Sequence, residues 1–166
     1  MADILTLMKT GQKEESGELT NPNLQGVIEL KNVSFSYPTN KNKLVLDNIS
    51  FKVDRGEKVA IIGSSGSGKS TIMQLLMGFY QPDKGQILID GVDLRQYDLK
   101  FIRNKFGFVQ QQPVLFADSI RNNLNLGVDP KIKDEELEEY LKQANAKKFV
   151  NNFKDSLGTF VGSEGG

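Results

Sequence analysis

The sequence contains no cysteine and no histidine. The first absence excludes a disulfide framework and a cysteine nucleophile. The two together exclude every Cys/His zinc site and any mechanism with a histidine base. A reducing compartment is permitted. There is no excess of either charge: 21 Lys and Arg stand against 21 Asp and Glu, a formal net charge of zero. The chain therefore presents no net basic field to a phosphate polymer or an anionic bilayer, and nucleic acid is disfavoured as a partner. Long apolar runs are missing too. Nothing approaches the roughly eighteen residues of a membrane span, and the stretch Ile4 to Met8, interrupted by Thr6, is too short for a secretory signal.

What is present is ordinary globular material, 38% hydrophobic and 25% charged over 166 residues, the length of one domain with a real core. Residues 1–26 are expected to be a linker, because KTGQKEESGELTNPNLQG is polar, turn-rich and aperiodic. From Val27 the run VIELKNVSFSY reads as a strand. Pro38 and the NKNK of 40–43 turn the chain, and LVLDNISFKV returns it as an antiparallel partner. After a DRG turn, Val59 to Ile62 is predicted as a buried strand, followed by a glycine-rich loop and a helix with Ile72, Leu75 and Leu76 on one face that QPDKG ends. GQILIDGVDL predicts a hairpin around Asp90-Gly91. A short helix over Leu99 to Phe106 then feeds a strand at Gly107 to Val109. Beyond Gln110 the pattern turns helical: DSIRNNL is brief. Residues 134–149 predict one long helix with Leu137, Tyr140, Leu141, Ala144 and Lys148 at helical spacing, acids early, lysines late and a solvated charged face.

Gly63-Ser64-Ser65-Gly66-Ser67-Gly68-Lys69-Ser70 fits the G-x-x-x-x-G-K-[ST] phosphate-binding loop, with Thr71 following. The chemistry needs backbone N–H groups converging on an anion. Glycines at 66 and 68 permit that turn and keep Cβ atoms away from the phosphate, and the helix beginning there adds its positive end. Lys69 would supply a point charge to the β- and γ-phosphates, and the Ser70 hydroxyl would be a ligand of Mg²⁺. A bare Gly/Ser surface loop rarely stands between an apolar strand and an amphipathic helix. A GTPase would require N-K-x-D, which NKNK does not supply. Asp90, closing the run Ile87-Leu88-Ile89, has two readings, a metal-organising acid or a hairpin residue, and Gly91 with Val92 and Leu94 favours the hairpin.

With the loop placed, VIELKNVSFSYP, VLDNISFKVDRGEKVAIIGSSGSGKST, GQILIDGVDL, FGFVQQQPVLFADSIRNNL and TFVGSEG resemble the first part of the nucleotide-binding domain of an ATP-binding cassette (ABC) transporter of the exporter type, over residues 27–165. The resemblance implies an α/β P-loop NTPase core, in which an antiparallel β subdomain and a partial parallel sheet occupy residues 27–109. The Q-loop and the start of a helical subdomain would follow over 110–166. It further implies that Tyr37 is the A-loop aromatic that stacks on adenine, and that Gln111 is the Q-loop glutamine, which binds Mg²⁺ or the attacking water. ATP and Mg²⁺ would be the cofactors. The implied partners are a second nucleotide-binding domain, arranged head to tail, and the transmembrane domains of a transporter whose ATPase faces the cytoplasm. Two departures stand out. Ser163 occupies the position where the family's T-x-V-G-E-x-G has glutamate, and the chain stops before the L-S-G-G-Q signature, with no Asp-Glu strand end and no switch histidine. The expectation is thus that the chain binds ATP without hydrolysing it, its parent being the ATPase. The rival reading is a non-catalytic nucleotide-binding or interaction fragment; a small-molecule P-loop kinase would need a lid and an acid that have no place here.

Overall fold

The β-branched and aromatic residues from Val27 onward suit a pleated, half-buried surface. In the computed structural model, which describes residues 15–127 and 132–162, they form the centre of a sheet. β1 (Ile28–Phe35) lies between β2 (Leu46–Val53) and β3 (Lys84–Ile89), and β4 (Val92–Asp93) completes the antiparallel order β2-β1-β3-β4. Leu30 faces Phe51 on one side and Ile87 on the other. Strict alternation from Leu30 would turn Val33 and Phe35 to solvent, yet both are buried. The register shifts between Leu30 and Val33 resolve this, since one extra residue swaps the faces of all that follow. Asn32 and Asn48 take positive φ angles of 50° and 51° at the irregularity, and the Asn32 amide donates to Asn48 Oδ1 at 2.9 Å.

The expected hairpin at Asp90-Gly91 is formed, with φ of 50° and 79° at its two central residues, as a primed turn requires. Both Asp90 oxygens accept backbone N–H groups, from Gln25 at 2.7 Å and Val27 at 2.9 Å. Of the two readings of Asp90, this geometry is that of the turn. The same contacts dock part of the stretch read as linker. Gly17 N–H donates to Tyr97 O at 3.0 Å, Leu19 N–H to Gln96 O at 2.9 Å, and Asp98 N–H to Leu19 O at 3.0 Å. Residues 1–14 of that stretch lie outside the described residues.

On the sheet's buried face, Ile72, Leu75 and Leu76 of α1 (Lys69–Leu76) and Leu99 and Ile102 of α2 (Leu99–Arg103) pack with Leu30, Phe35, Ile87, Ile89 and Tyr97. The apolar period in 72–76 is therefore spent on core contacts, the usual source of stability for so short a helix. α1 ends earlier than QPDKG. Gly78, at φ 68°, reverses the chain, with Gly78 N–H donating to Leu75 O and Phe79 N–H to Gln74 O, both at 3.0 Å. The Arg103 guanidinium closes the same end, donating to Met77 O at 2.9 Å and Gly78 O at 3.1 Å, and lies over the Phe79 ring.

Two predicted strands do not form. Val59 to Ile62 has no ladder partner, and Ile62 is 93% exposed; Gly107 to Val109 likewise forms no strand, and Val109 is 91% exposed. An inner strand of a parallel sheet needs neighbours to take up its N–H and C=O groups and to cover its side chains. Among the described residues, parallel pairing is limited to the single bridge between Leu19 and Tyr97. The fold is thus the expected α/β arrangement with its antiparallel part built and its parallel strands unpaired.

The chain divides into two compact units, up to Gly107 and from Phe108. In the second, β5 (Asp118–Ser119) pairs with β6 (Phe160–Val161), and Ser119 Oγ caps α3 (Ile120–Leu124) by accepting from Asn122 N–H at 3.1 Å. The long helix expected over 134–149 is instead α4 (Asp134–Gln143) and α5 (Lys147–Asn151). Asn145, at φ 56°, breaks it: Asn145 N–H donates to Lys142 O at 3.0 Å and Ala146 N–H to Leu141 O at 2.8 Å, the left-handed cap in which Asn substitutes for glycine. Leu137, Leu141, Val150 and Leu157 form this unit's core, while Tyr140, Ala144 and Lys148 are exposed. Arg121 and Asp134 form an ion pair. The Ser163 position lies outside the described residues.

Candidate functional site

The loop 63–68 runs into α1, and its geometry follows from two glycines and one lysine. Gly66 and Gly68 have φ of 80° and 91°. At Gly68 both the dihedral and the space demand glycine, since an added Cβ would meet Leu46 Cδ2 at 2.6 Å and Val45 O at 3.2 Å. Ser67 N–H donates to Ser64 O at 3.2 Å and closes the loop as a turn. Lys69 folds back across it, its Nζ donating to Gly63 O at 2.9 Å and Ser64 O at 2.7 Å.

Two electrostatic features result. The first bond of α1 runs from Ile72 N–H to Gly68 O at 3.0 Å, so the N–H groups of Lys69, Ser70 and Thr71 precede it and carry the positive end of the helix. Lys69 is held by neutral oxygens and has no carboxylate partner among the described residues. Residues 63–67 and Ser70 are exposed around this positive cluster. An anionic group with several acceptor oxygens fits it, and the Ser70 hydroxyl stands free on the first helical turn for a hard cation beside that anion.

Of the other expected site residues, Thr71 and Tyr37 are brought to this helix. Thr71 is 4% exposed, and its Oγ1 lies 2.9 Å from the Tyr37 hydroxyl, so its side chain faces inward. The Tyr37 ring is set edge-on against Phe35 and Tyr80, with centroids at 5.0 and 5.3 Å. The turn bearing it is tied down by Asp83, which accepts from Ser36 N–H at 2.6 Å and Lys41 Nζ at 2.9 Å. Lys41 and the Ser36 N–H together hold the Asp83 carboxyl below its ordinary value. Gln111 belongs to the second unit, where it is exposed at a bend. Sequence reasoning missed Gln74, whose Oε1 accepts from the Tyr37 hydroxyl at 2.7 Å. Its signal was available, because position 74 lies one turn beyond Thr71 on the same helix face. Asp83, within the expected helix end QPDKG, carried no such signal.

A glycine-rich loop that opens a helix packed on the sheet of an α/β core is consistent with a P-loop nucleotide-binding fold. Comparison narrows this. The family model described as ABC transporter matches residues 46–162. The chain is 39% identical over 163 residues to ABC transporter B family member 6 of Arabidopsis thaliana, which covers 98% of this chain and 12% of that protein. It is 43% identical over 154 residues to the ATP-dependent lipid A-core flippase of Pseudoalteromonas translucida (strain TAC 125), covering 92% and 26%. Among solved structures, a bacterial Atm1-family ABC exporter with ATP bound superposes with a TM-score of 0.83 at 34% identity, over 99% of this chain and 29% of the other. The chain belongs to the ABC transporter family and is similar to part of the nucleotide-binding domain of its exporters. It spans between about an eighth and three tenths of the length of these relatives. Among the described residues no helix is long and apolar enough to cross a membrane.

Proposed function

We propose that the chain is the ATP-binding part of an ABC exporter ATPase domain. The observation that carries this reading is the Lys69 ammonium, held over the loop by Gly63 O and Ser64 O beside the N-terminus of α1 without a carboxylate to neutralise it. Residues 63–71 would cradle the phosphates through backbone N–H groups, Lys69 would meet the β- and γ-phosphates, Ser70 would hold Mg²⁺, and the Tyr37 ring would lie against adenine. Mg²⁺, when bound, neutralises developing charge on the phosphate oxygens.

The chain binds ATP without turning it over. Hydrolysis wants a carboxylate to organise the metal and a group to place the attacking water. Asp90, the acid that ends the apolar run of β3, has both oxygens occupied by backbone N–H groups. In a parent transporter, two such domains pair head to tail and drive export through transmembrane domains, with the ATPase on the cytoplasmic face of the membrane.

Titration of MgATP against the chain and its Lys69→Ala variant tests the reading. Loss of a charge-assisted contact worth roughly 1.5–3 kcal/mol weakens binding by about ten- to a hundredfold. Equal affinity of the two proteins would remove Lys69 from the site. Phosphate release that depends on Lys69 would overturn the view that the chain does not hydrolyse ATP.

A further inference from the structure

We infer that the Tyr37 hydroxyl, with Thr71 and Gln74, is a latch that positions the first turn of the phosphate-binding helix, making Gln74 and the Tyr37 O–H positioning groups for the phosphate loop. The inference rests on the nucleotide-binding reading and deepens it, because it gives the hydroxyl of Tyr37 a role distinct from that of its ring.

Proton accounting orders the cluster. Gln74 Oε1 is an acceptor only, so the single Tyr37 proton goes to it across 2.7 Å. The 2.9 Å contact with Thr71 Oγ1 must then be made with the threonine proton, so Thr71 donates and Tyr37 accepts. Both hydroxyl protons, of Thr71 and of Tyr37, are thus committed in one direction, towards Gln74. Thr71 is the third residue of α1, next to Ser70 and two beyond Lys69, and its hydroxyl is shut away from water. Removing its partner leaves a buried hydroxyl unsatisfied and frees the helical turn from which the first amides and Lys69 project.

The far side of the latch is rigid. Phe35 and Tyr80 hold the Tyr37 ring edge-on, Pro38 follows it, and the adjoining Ser36 N–H is bound by Asp83. Tyr37 therefore transmits the position of the β1 end to the phosphate loop, and the loop, whose residues 63–67 are all exposed, needs such a fixed point. A ring that only stacked on a base would have no use for the hydroxyl.

The test uses the whole 166-residue chain and calorimetric titration with MgATP, magnesium tripolyphosphate and adenosine. Tyr37→Phe is expected to weaken MgATP and tripolyphosphate by the same factor, roughly two- to tenfold, and to leave adenosine unchanged. Gln74→Leu should act in the same direction. Thr71→Val combined with Tyr37→Phe should cost less than the sum of the two alone, because both cut one network. Thr71→Ser, which keeps the hydroxyl, should recover most of what Thr71→Val loses. Wild-type affinity of Tyr37→Phe for both phosphate ligands overturns the latch, as does a loss seen with ATP and adenosine but not with tripolyphosphate. A second readout needs no ligand: amide exchange at residues 72–76, whose N–H groups are bonded within α1, should quicken in Tyr37→Phe while that of β1 and β3 stays unchanged, and unchanged exchange at 72–76 also overturns it. If the wild-type chain fails to bind MgATP, the nucleotide reading falls, while the exchange experiment still decides the latch.

Discussion

A Cβ atom on Gly68 would stand 2.6 Å from Cδ2 of Leu46, the residue that opens β2. The glycine that starts α1, the helix proposed to bind phosphate, is therefore also a packing position against the sheet. Gly68→Ala should cost about 1–3 kcal/mol, from positive φ together with this contact. A urea unfolding midpoint measures it. A midpoint equal to that of the wild type would mean that the loop backbone relaxes without strain.

Asp90 tests the hairpin reading against the metal reading. Asp90→Ala removes both acceptors of the Gln25 and Val27 N–H groups and should lower stability by about 1–3 kcal/mol. Asp90→Asn, which keeps an acceptor and tolerates positive φ, should lose less. Affinity for MgATP should be unaffected in both. Loss of magnesium dependence at unchanged stability would restore the acid to the metal.

Acid should act through Asp93. Arg95 grips its carboxylate with Nε at 2.9 Å and Nη2 at 2.6 Å, and this pairing lowers the Asp93 pKa below the ordinary value of 3.8. Because the folded value lies below the unfolded one, the contribution is fully present above about pH 4 and is lost as pH falls through the folded value. The melting temperature of Asp93→Asn should therefore lie below that of the wild type at neutral pH and converge towards it in acid. A constant gap from pH 7 to pH 2 would show that charge at Asp93 is not what stabilises the pair.

The unpaired apolar runs predict association. Val59, Ile61 and Ile62 stand exposed in a segment with no ladder partner, an open edge that other chains can pair with. Sedimentation should detect concentration-dependent self-association that Ile62→Lys reduces. With Ile62 93% exposed, the substitution should change stability by no more than about 0.5 kcal/mol. A strictly monomeric wild type would refute this.

Local signals account for what was legible in the sequence. The antiparallel pair 28–53, the turn at Asp90-Gly91 and the helix opening at Lys69 each rest on residues close in the chain: alternating apolar positions, a dipeptide that accepts positive φ, and glycines ahead of Lys-Ser-Thr. The Asn145 break was missed because charge order and the helical spacing of Leu137, Leu141, Ala144 and Lys148 run through it unchanged, while a left-handed residue is set by two hydrogen bonds that the pattern does not encode.

The loop's composition carried the expectation of its chemistry, since glycines, Lys69 and Ser70 at fixed spacing ahead of a helix suit an anion cradle. Partners distant in sequence were settled by folding. Tyr37 meets Thr71 and Gln74 across more than thirty positions, and Asp90 meets Gln25 across sixty-five. Val59 to Ile62, strand-like in every local property, stays unpaired. A strand is a relation between two segments: side-chain pattern states a preference, but the hydrogen bonds that satisfy it belong to a neighbour that must itself be in place.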